Sequence, residues 1–403
     1  MKHKKILGVV AVAATLALAG CSANAGSSTS TSSPTSSGPI QIGMLSPLTG
    51  NLSSLGVPAQ EAAQLMIQTI NSTGGVNGSK LTLSVNDDKS DVTQSVTLFN
   101  QLAADKSTSI ILSSVSAANS AAVGPSAQTA AIPMLAIGPV DSYANGSNKF
   151  AFSVSAPTAR VSDVLAKYFA SVSVKKLALA YLTQSSAMQP AANATAAAAK
   201  KLGIQVVLSE GFDVTATDFT PLITHVKQSG ADALMVWGPG AGPAILTKQI
   251  AGSGVKLFMS GAQASSLYTK PTGTASNGVV LSSGGAMAYE AMPAGAYKTE
   301  IGKFVTAWEK GHSGAFPPQF AFDAATAVQL AAAAIKSAGS SDRSSIRNAL
   351  EKLNTLTVGG RFTFSATDHS GLHASDIAIV EIQDGKFVAT PYTKKQFAAD
   401  PPK

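Results

Sequence analysis

The chain has 403 residues, 45% hydrophobic and only 13% charged, with 29 Lys and Arg against 22 Asp and Glu, a net charge of +7 and one Cys. That apolar content excludes a wholly disordered chain, and the length exceeds what one core usually serves, so two core-bearing lobes are expected. A nucleic-acid partner is not expected: the basic residues are scattered instead of gathered with aromatics, and Lys2, Lys4 and Lys5 lie in a segment expected to be removed.

Met1–Lys5 is short and basic, Ile6 to Ala17 is apolar, and small residues follow. This is the pattern of a secretory signal, too short for a membrane helix of about 20 residues. Leu18-Ala19-Gly20-Cys21 resembles the bacterial lipoprotein signal, which implies that residues 1–20 are removed and that Cys21 is lipidated. The protein is then expected to be exported and lipid-anchored to the cell membrane, facing the periplasm or the cell exterior. With one Cys, no intramolecular disulfide is expected. Residues 21–39 read as a lipidated Ser/Thr-rich tether. Ser22 to Gly38 carries no charge and almost nothing apolar, and its flexible r.m.s. span is about 23 Å.

From Ile40 the pattern alternates between strand and helix. Strands are expected at Ile40–Leu45, Leu81–Val85, Ser109–Leu112, Ile132–Ala136, Leu177–Tyr181, Gln205–Leu208, Ala233–Val236 and Leu257–Met259. Between them, one helix has Pro58 in its first turn and ends at Gly74-Gly75. Others cover Val92–Ala104, Asn119–Ala130, Arg160–Phe169, an Ala-rich stretch to Lys201, Phe219–Gln228 and Ala241–Ala251. Helices Ile301–Glu309, Phe320–Ala338 and Asp342–Leu353 follow, and then strands Arg361–Phe364 and Ile377–Ile382. Such alternation predicts an α/β fold, with parallel sheets flanked by helices on both faces.

Specific residues now carry a resemblance. Ile70-Asn71-Ser72-Thr73-Gly74-Gly75-Val76-Asn77-Gly78, Asp87-Asp88, Asp218-Phe219-Thr220-Pro221, Gly230-Ala231-Asp232-Ala233, Phe320-Ala321-Phe322-Asp323-Ala324 and Ala338-Gly339 with Asp342-Arg343 and Ala349-Leu350 occur in order. Together they resemble the Leu/Ile/Val-type (type I) periplasmic binding proteins over about Ile40 to Val388. The resemblance implies a two-lobe type I periplasmic binding protein fold with three inter-lobe crossovers, near Val154, Ser283 and Gly359. Lobe one would hold 40–155 plus 284–359, lobe two 156–283 plus 360–390, and 391–403 would trail as a C-terminal tail. With the lipoprotein signal, it implies the monomeric solute receptor of an ABC importer. This receptor would close on a small polar solute (amino acid, amide or organic acid) and deliver it to the permease. A surface lipoprotein that senses its ligand for a signalling partner is the alternative.

Ligands of parallel α/β sheets sit beyond the carboxyl ends of the strands, where helix starts expose N–H groups. Ser113 to Asn119 follows a strand and precedes a helix, so Ser114, Ser116, Ala117, Ala118 and Asn119 are candidate ligand contacts, though Ser and Asn there also serve as plain helix caps. A second loop supplies Gly138, Pro139 and Val140, followed by Asp141. From lobe two come Ser185 and Ser186 beside Gln184, Trp237 and Gly238, and Ala262 and Gln263. Trp237 could stack on a ligand or belong to the core. Leu55, in the loop after the first strand, is placed as a lid residue by the resemblance. The family's amino-acid binders typically have Thr where this chain has Val140, an acid for the ammonium where it has Ala262 or Gln263, and often Tyr near Ser186. The expected solute is therefore neutral or anionic and polar, in preference to leucine, isoleucine or valine.

No enzyme is expected, since neither a G-x-S-x-G elbow nor a phosphate loop ending in Gly-Lys-Ser/Thr occurs. His369-Ser370-Gly371-Leu372-His373 has metal-like spacing beside Asp368, but Gly371 indicates a turn, so no metal and no cofactor are expected.

Overall fold

A computed structural model describes residues 38–400. Cys21, the expected signal and most of the expected tether lie outside the described residues. In chain order the first part contains β1 (Ile40–Ser46), α1 (Ser53–Ser72), β2 (Leu81–Asp87), α2 (Val92–Ala104), β3 (Thr108–Ser113), α3 (Ala117–Ala130), β4 (Met134–Ala136) and β5 (Ala151–Ser153). Next come α4 (Thr158–Ser171), β6 (Lys176–Leu182), α5 (Met188–Lys201), β7 (Gln205–Phe212), α6 (Thr220–Gln228), β8 (Ala233–Trp237), α7 (Gly242–Ile250), β9 (Lys256–Met259), α8 (Ser266–Thr272) and β10 (Val280–Gly284). The chain ends with α9 (Ala296–Gly311), α10 (Gln319–Ala338), α11 (Arg343–Leu350), β11 (Asn354–Thr357), β12 (Gly360–Thr363), β13 (Ile377–Gln383), β14 (Lys386–Ala389) and α12 (Pro391–Ala399).

The strands form two large sheets. The first, ordered β2-β1-β3-β4-β5, is parallel throughout. The second, ordered β14-β13-β10-β9-β8-β6-β7, is parallel from β7 to β10, and β13 and β14 then run antiparallel along one edge. Central strands β3 and β8 are buried along their whole length, and β8 is apolar throughout.

Local chemistry fixes the connections. Asn71 brackets Leu81, its Oδ1 accepting from the backbone N at 2.8 Å and its Nδ2 donating to the backbone O at 2.8 Å. Gly75, at φ +79°, sits where a Cβ would lie 2.1 Å from the Ser79 carbonyl, so the turn demands glycine. The Asp232 carboxylate accepts from the amides of Lys175 and Lys176, both at 2.8 Å, and pins the start of β6 beside β8. These two of the resembling motifs therefore serve the scaffold.

Three expectations are corrected. Pro58 lies inside α1, not in its first turn, because the helix already begins at Ser53. Gly359 is not the third passage between sheets. It belongs to the turn between β11 and β12, and the following segment still packs on β5: Phe364 meets Phe152 edge-on at 5.2 Å and His369 stacks on Phe152 at 3.9 Å. The chain joins the second sheet again only at β13. The expected tail instead forms α12, whose Phe397 is fully buried and whose Thr393 Oγ1 accepts from the Ile379 amide at 2.8 Å.

The helices α9–α11 pack on the first sheet through α10, which is buried along most of its length. Arg343 completes that attachment: its guanidinium donates to the carbonyls of Thr108 (2.9 Å), Ala103 (2.9 Å) and Asp105 (2.7 Å). A lysine offers the same charge from a single point and cannot span three carbonyls. Arg343→Lys should therefore cost about 1–3 kcal/mol, seen as a lower urea midpoint at unchanged slope. A loss below about 0.5 kcal/mol would show that the fork contributes little.

Candidate functional site

The carboxyl ends of the strands in both sheets open into one cavity of about 600 Å³. Its wall takes Leu52 and Leu55 after β1, Val115 to Asn119 after β3, Pro139 to Ser142 after β4 and Val154 to Ala156 after β5. From the second sheet come Gln184 to Met188 after β6, Trp237 and Pro239 at β8, Ser260 to Ala262 after β9, and Ser282 to Gly284 of β10. Such a convergence is what parallel α/β sheets produce, since their loops expose backbone amides at that edge.

The wall is mostly apolar. Its charged members are Asp141, Asp323 and Asp376, and no Lys, Arg or His is among the described wall residues. The sequence offered no obvious acid for an ammonium, and these three wall acids bear on the expectation of a neutral or anionic solute.

Of the expected contacts, Leu55, Ser116, Ala117, Ala118, Asn119, Pro139, Val140, Ser185, Ser186, Trp237 and Ala262 line the cavity. Ser114, Gly138, Gly238 and Gln263 stand behind it, each for a physical reason. The fully buried Ser114 accepts from the Ser116 amide through its hydroxyl and from the Gly138 amide (2.9 Å) through its carbonyl. Gly138 packs so closely under the α3 loop that a Cβ would lie 2.7 Å from the Val115 carbonyl. Gly238 faces Phe212 and Leu182 in the core. Gln263 turns its amide onto the Gly238 carbonyl at 2.9 Å and braces that loop.

Leu55 proves to be helical, in the first turn of α1, and not in a loop. The α1 start is held close to the loop after β1: Ser46 Oγ donates to the Gly56 carbonyl at 2.9 Å, and a Cβ on Gly56 would lie 2.2 Å from the Pro47 carbonyl. Trp237 belongs to the core and also reaches the wall. Its indole N–H donates to Thr195 Oγ1 at 3.1 Å within the second core, while the residue also forms part of the wall.

At the start of α3, Ser116 caps the helix. Its Oγ accepts from the Asn119 amide at 3.3 Å and its carbonyl from the Ser120 amide at 2.9 Å. The Asn119 side chain is spent on Ser116 and Ser95. The amides of Ala117 and Ala118 have no intrahelical acceptor, as the first turn of any helix requires, and both residues line the cavity.

Sequence reasoning missed the wall at the passage between the sheets: Ser260, Ser283, Gln319, Asp323 and Asp376. Asp323 left one signal, a lone acid in an otherwise apolar helical run. Its Oδ1 accepts from Gln319 Nε2 at 2.8 Å, and Gln319 Oε1 accepts from the Gly284 amide at 2.9 Å. Burial pushes Asp323 up to about 7, partly offset by the Gln319 bond. Burial likewise pushes Asp376 up to about 6, against the opposing bond from the His373 amide. His369, of the metal-like spacing, is fully buried and donates through Nδ1 to the Ala151 carbonyl at 2.9 Å.

The comparisons agree with this class of structure, an α/β fold of two sheets flanked by helices. The chain belongs to the periplasmic binding protein family, whose model matches residues 39–386. It is 25% identical to a Leu/Ile/Val-binding protein homolog of Brucella melitensis over 392 residues, covering 95% of this chain and 98% of the relative. A branched-chain amino acid transporter substrate-binding protein from Streptococcus pneumoniae, solved with isoleucine, superposes with a TM-score of 0.76 at 20% identity, covering 87% of this chain and 98% of that one. A solute-binding protein of an ABC transporter from R. palustris, solved with benzoate, gives a TM-score of 0.76 at 18% identity, covering 87% and 95%. These relatives bind solutes and are extracytoplasmic proteins by family.

A raised carboxyl pKa has a definite sign. The folded protein holds a proton on Asp323 that the unfolded chain releases near pH 4, so this group's contribution to stability falls as pH rises from about 4 to about 7. Asp323→Asn keeps an acceptor for Gln319 and removes the titration. The variant should melt higher than the parent at pH 8, and the difference should vanish towards pH 4. A difference independent of pH would contradict this.

Proposed function

We propose that the protein is the lipid-anchored, extracytoplasmic solute receptor of an ABC importer. It holds a small solute with a carboxylate and an apolar body between two lobes and closes on it by a hinge. The first sheet with α1–α3 and α9–α11 forms one lobe, and the second sheet with its helices forms the other. The observation that carries the reading is the pair of uncommitted amides, Ala117 and Ala118, at a helix start inside a mostly apolar cavity. A carboxylate accepts from such amides, and the Val, Leu and Ala side chains around them suit an aliphatic or aromatic body. The binding of isoleucine by one structural neighbour and benzoate by another fits this chemistry.

The amide of Ala117 can be removed with little disturbance. Ala117 is the first helical residue, where proline is well tolerated, and Ser116 before it is already extended at φ −74°, ψ 121°. Calorimetry with small carboxylates, isoleucine and benzoate included, should show binding by the parent that Ala117→Pro weakens about tenfold or more, as loss of a charge-assisted bond requires. Equal affinities in parent and variant would overturn the carboxylate placement.

The anchor rests on Leu18-Ala19-Gly20-Cys21. Cys21→Ala should leave the protein unlipidated and free of the membrane fraction. Fatty-acid label retained by the variant would refute it.

A further inference from the structure

The lysines of the second sheet gather at one end of it. From Val164 to Ser209 the chain carries Lys167, Lys175, Lys176, Lys200 and Lys201, and no acid. Strands β6 to β9 are parallel, and their register aligns the strand starts: Lys176 stands beside Gln205 of β7, and Ala233 of β8 beside Lys256 of β9. These starts lie at the end of the sheet away from the cavity, which opens at the carboxyl ends. The helices run back and finish at the same end, α5 with Lys200 and Lys201 and α6 with Lys227. All of these lysines are exposed.

Opposing charge is sparse there. Asp232, at the start of β8, is bound by the amides of Lys176 and Lys175, which lower its pKa, and the charges of Lys176 and Lys256 add to this. Asp213 and Asp218 follow β7 at the cavity end, and Glu381 and Asp384 belong to β13 and its turn, beyond β10. No ion pair among the described residues includes any of these lysines. Helix ends account for part of the cluster, since terminal carbonyls favour cations. Lys256 Nζ, for example, donates at 2.8 Å to the carbonyl of Val172, which caps α4. Lys175 and Lys176 lie outside any helix. Leu202 adds an apolar group: it is 47% exposed, directly after Lys200 and Lys201, in a turn completed by Gly203 at φ +75°. An exposed apolar side chain among lysines suits a bilayer surface, where the lysines meet phosphates and the leucine enters the headgroup boundary.

We infer that this end of the second sheet, around Lys175, Lys176, Lys200, Lys201 and Leu202, is a contact surface for the anionic headgroups of a lipid bilayer. The inference depends neither on the identity of the solute nor on acylation of Cys21. Contact at this end leaves the cavity, at the opposite ends of the strands, clear of the bilayer. Each lysine held near an anionic surface raises partitioning roughly fivefold, and the attraction weakens as salt screens it.

Binding is measured with the mature chain, residues 21–403, carrying Cys21→Ala so that no acyl chain anchors it. The probes are vesicles of phosphatidylcholine alone, vesicles of phosphatidylcholine mixed with phosphatidylglycerol, and soluble polyphosphate. The surface predicts co-sedimentation with the phosphatidylglycerol vesicles that weakens as salt rises, and none with phosphatidylcholine alone. The triple variant Lys175→Gln, Lys200→Gln, Lys201→Gln should bind those vesicles about tenfold more weakly or worse. A second triple, Lys106→Gln, Lys310→Gln, Lys352→Gln, removes the same charge elsewhere and should change binding less than about threefold. Leu202→Ser should weaken vesicle binding and leave polyphosphate binding unchanged. Every substituted residue is exposed, so melting midpoints close to the parent's are expected throughout. No binding to phosphatidylglycerol vesicles, equal loss in the two triples, or parental vesicle binding by Leu202→Ser would overturn the inference. Binding to polyphosphate with the vesicles left unbound would make the partner an acidic polymer and overturn it equally.

Discussion

Gln319 ties together three stretches of chain that are distant in sequence. Its backbone amide donates to the Ala264 carbonyl at 3.0 Å, its Oε1 accepts from the Gly284 amide, and its Nε2 donates to Asp323. Ala264 follows β9, Gly284 ends β10, and Asp323 is one turn into α10, so a single side chain joins the second sheet to the helix that packs on the first. Polar backbone must be satisfied wherever the chain passes through the interior, and a neutral amide does this with both a donor and an acceptor. One continuous apolar cluster runs from β1 and β3 through Phe320 and Phe322 to β8 and β9. The polar knot around Gln319 sits beside that cluster and forms the floor of the cavity.

From this constraint the wall acquires its electrical character. Strand ends supply amides, apolar side chains supply bulk, and the passage supplies acids. The α3 end favours negative charge, because its first amides have no acceptor of their own. The passage end favours positive charge, because its acids have no basic neighbour in the wall.

The fold was legible because its signals are local. Val92–Ala104 was read at its observed bounds, and in the structure Asp91 caps it. The β3–α3 loop was legible for the same reason, since strand, cap and helix are contiguous. The short β5 was missed because three residues carry too little pattern, and Gly359 was misplaced because a hairpin turn and a passage between sheets look alike in sequence. Gln263 was read as a ligand amide although the fold turns it onto the Gly238 carbonyl, which no spacing foretells. The acids of the passage were hidden for a related reason. Asp323 and Asp376 are 53 residues apart, and only the tertiary structure brings both near Tyr297.

The central claim is that the carboxyl ends of both sheets grip the same solute. Spin labels at two exposed sites, Gln68 on α1 and Lys200 on α5, report on the two sides of the cavity. Electron–electron distance measurements, with and without saturating solute, test the claim most directly. Closure predicts that the distance distribution moves to shorter values and narrows when solute is bound. Calorimetric binding with an unchanged distribution would place the solute on one sheet alone and contradict the account.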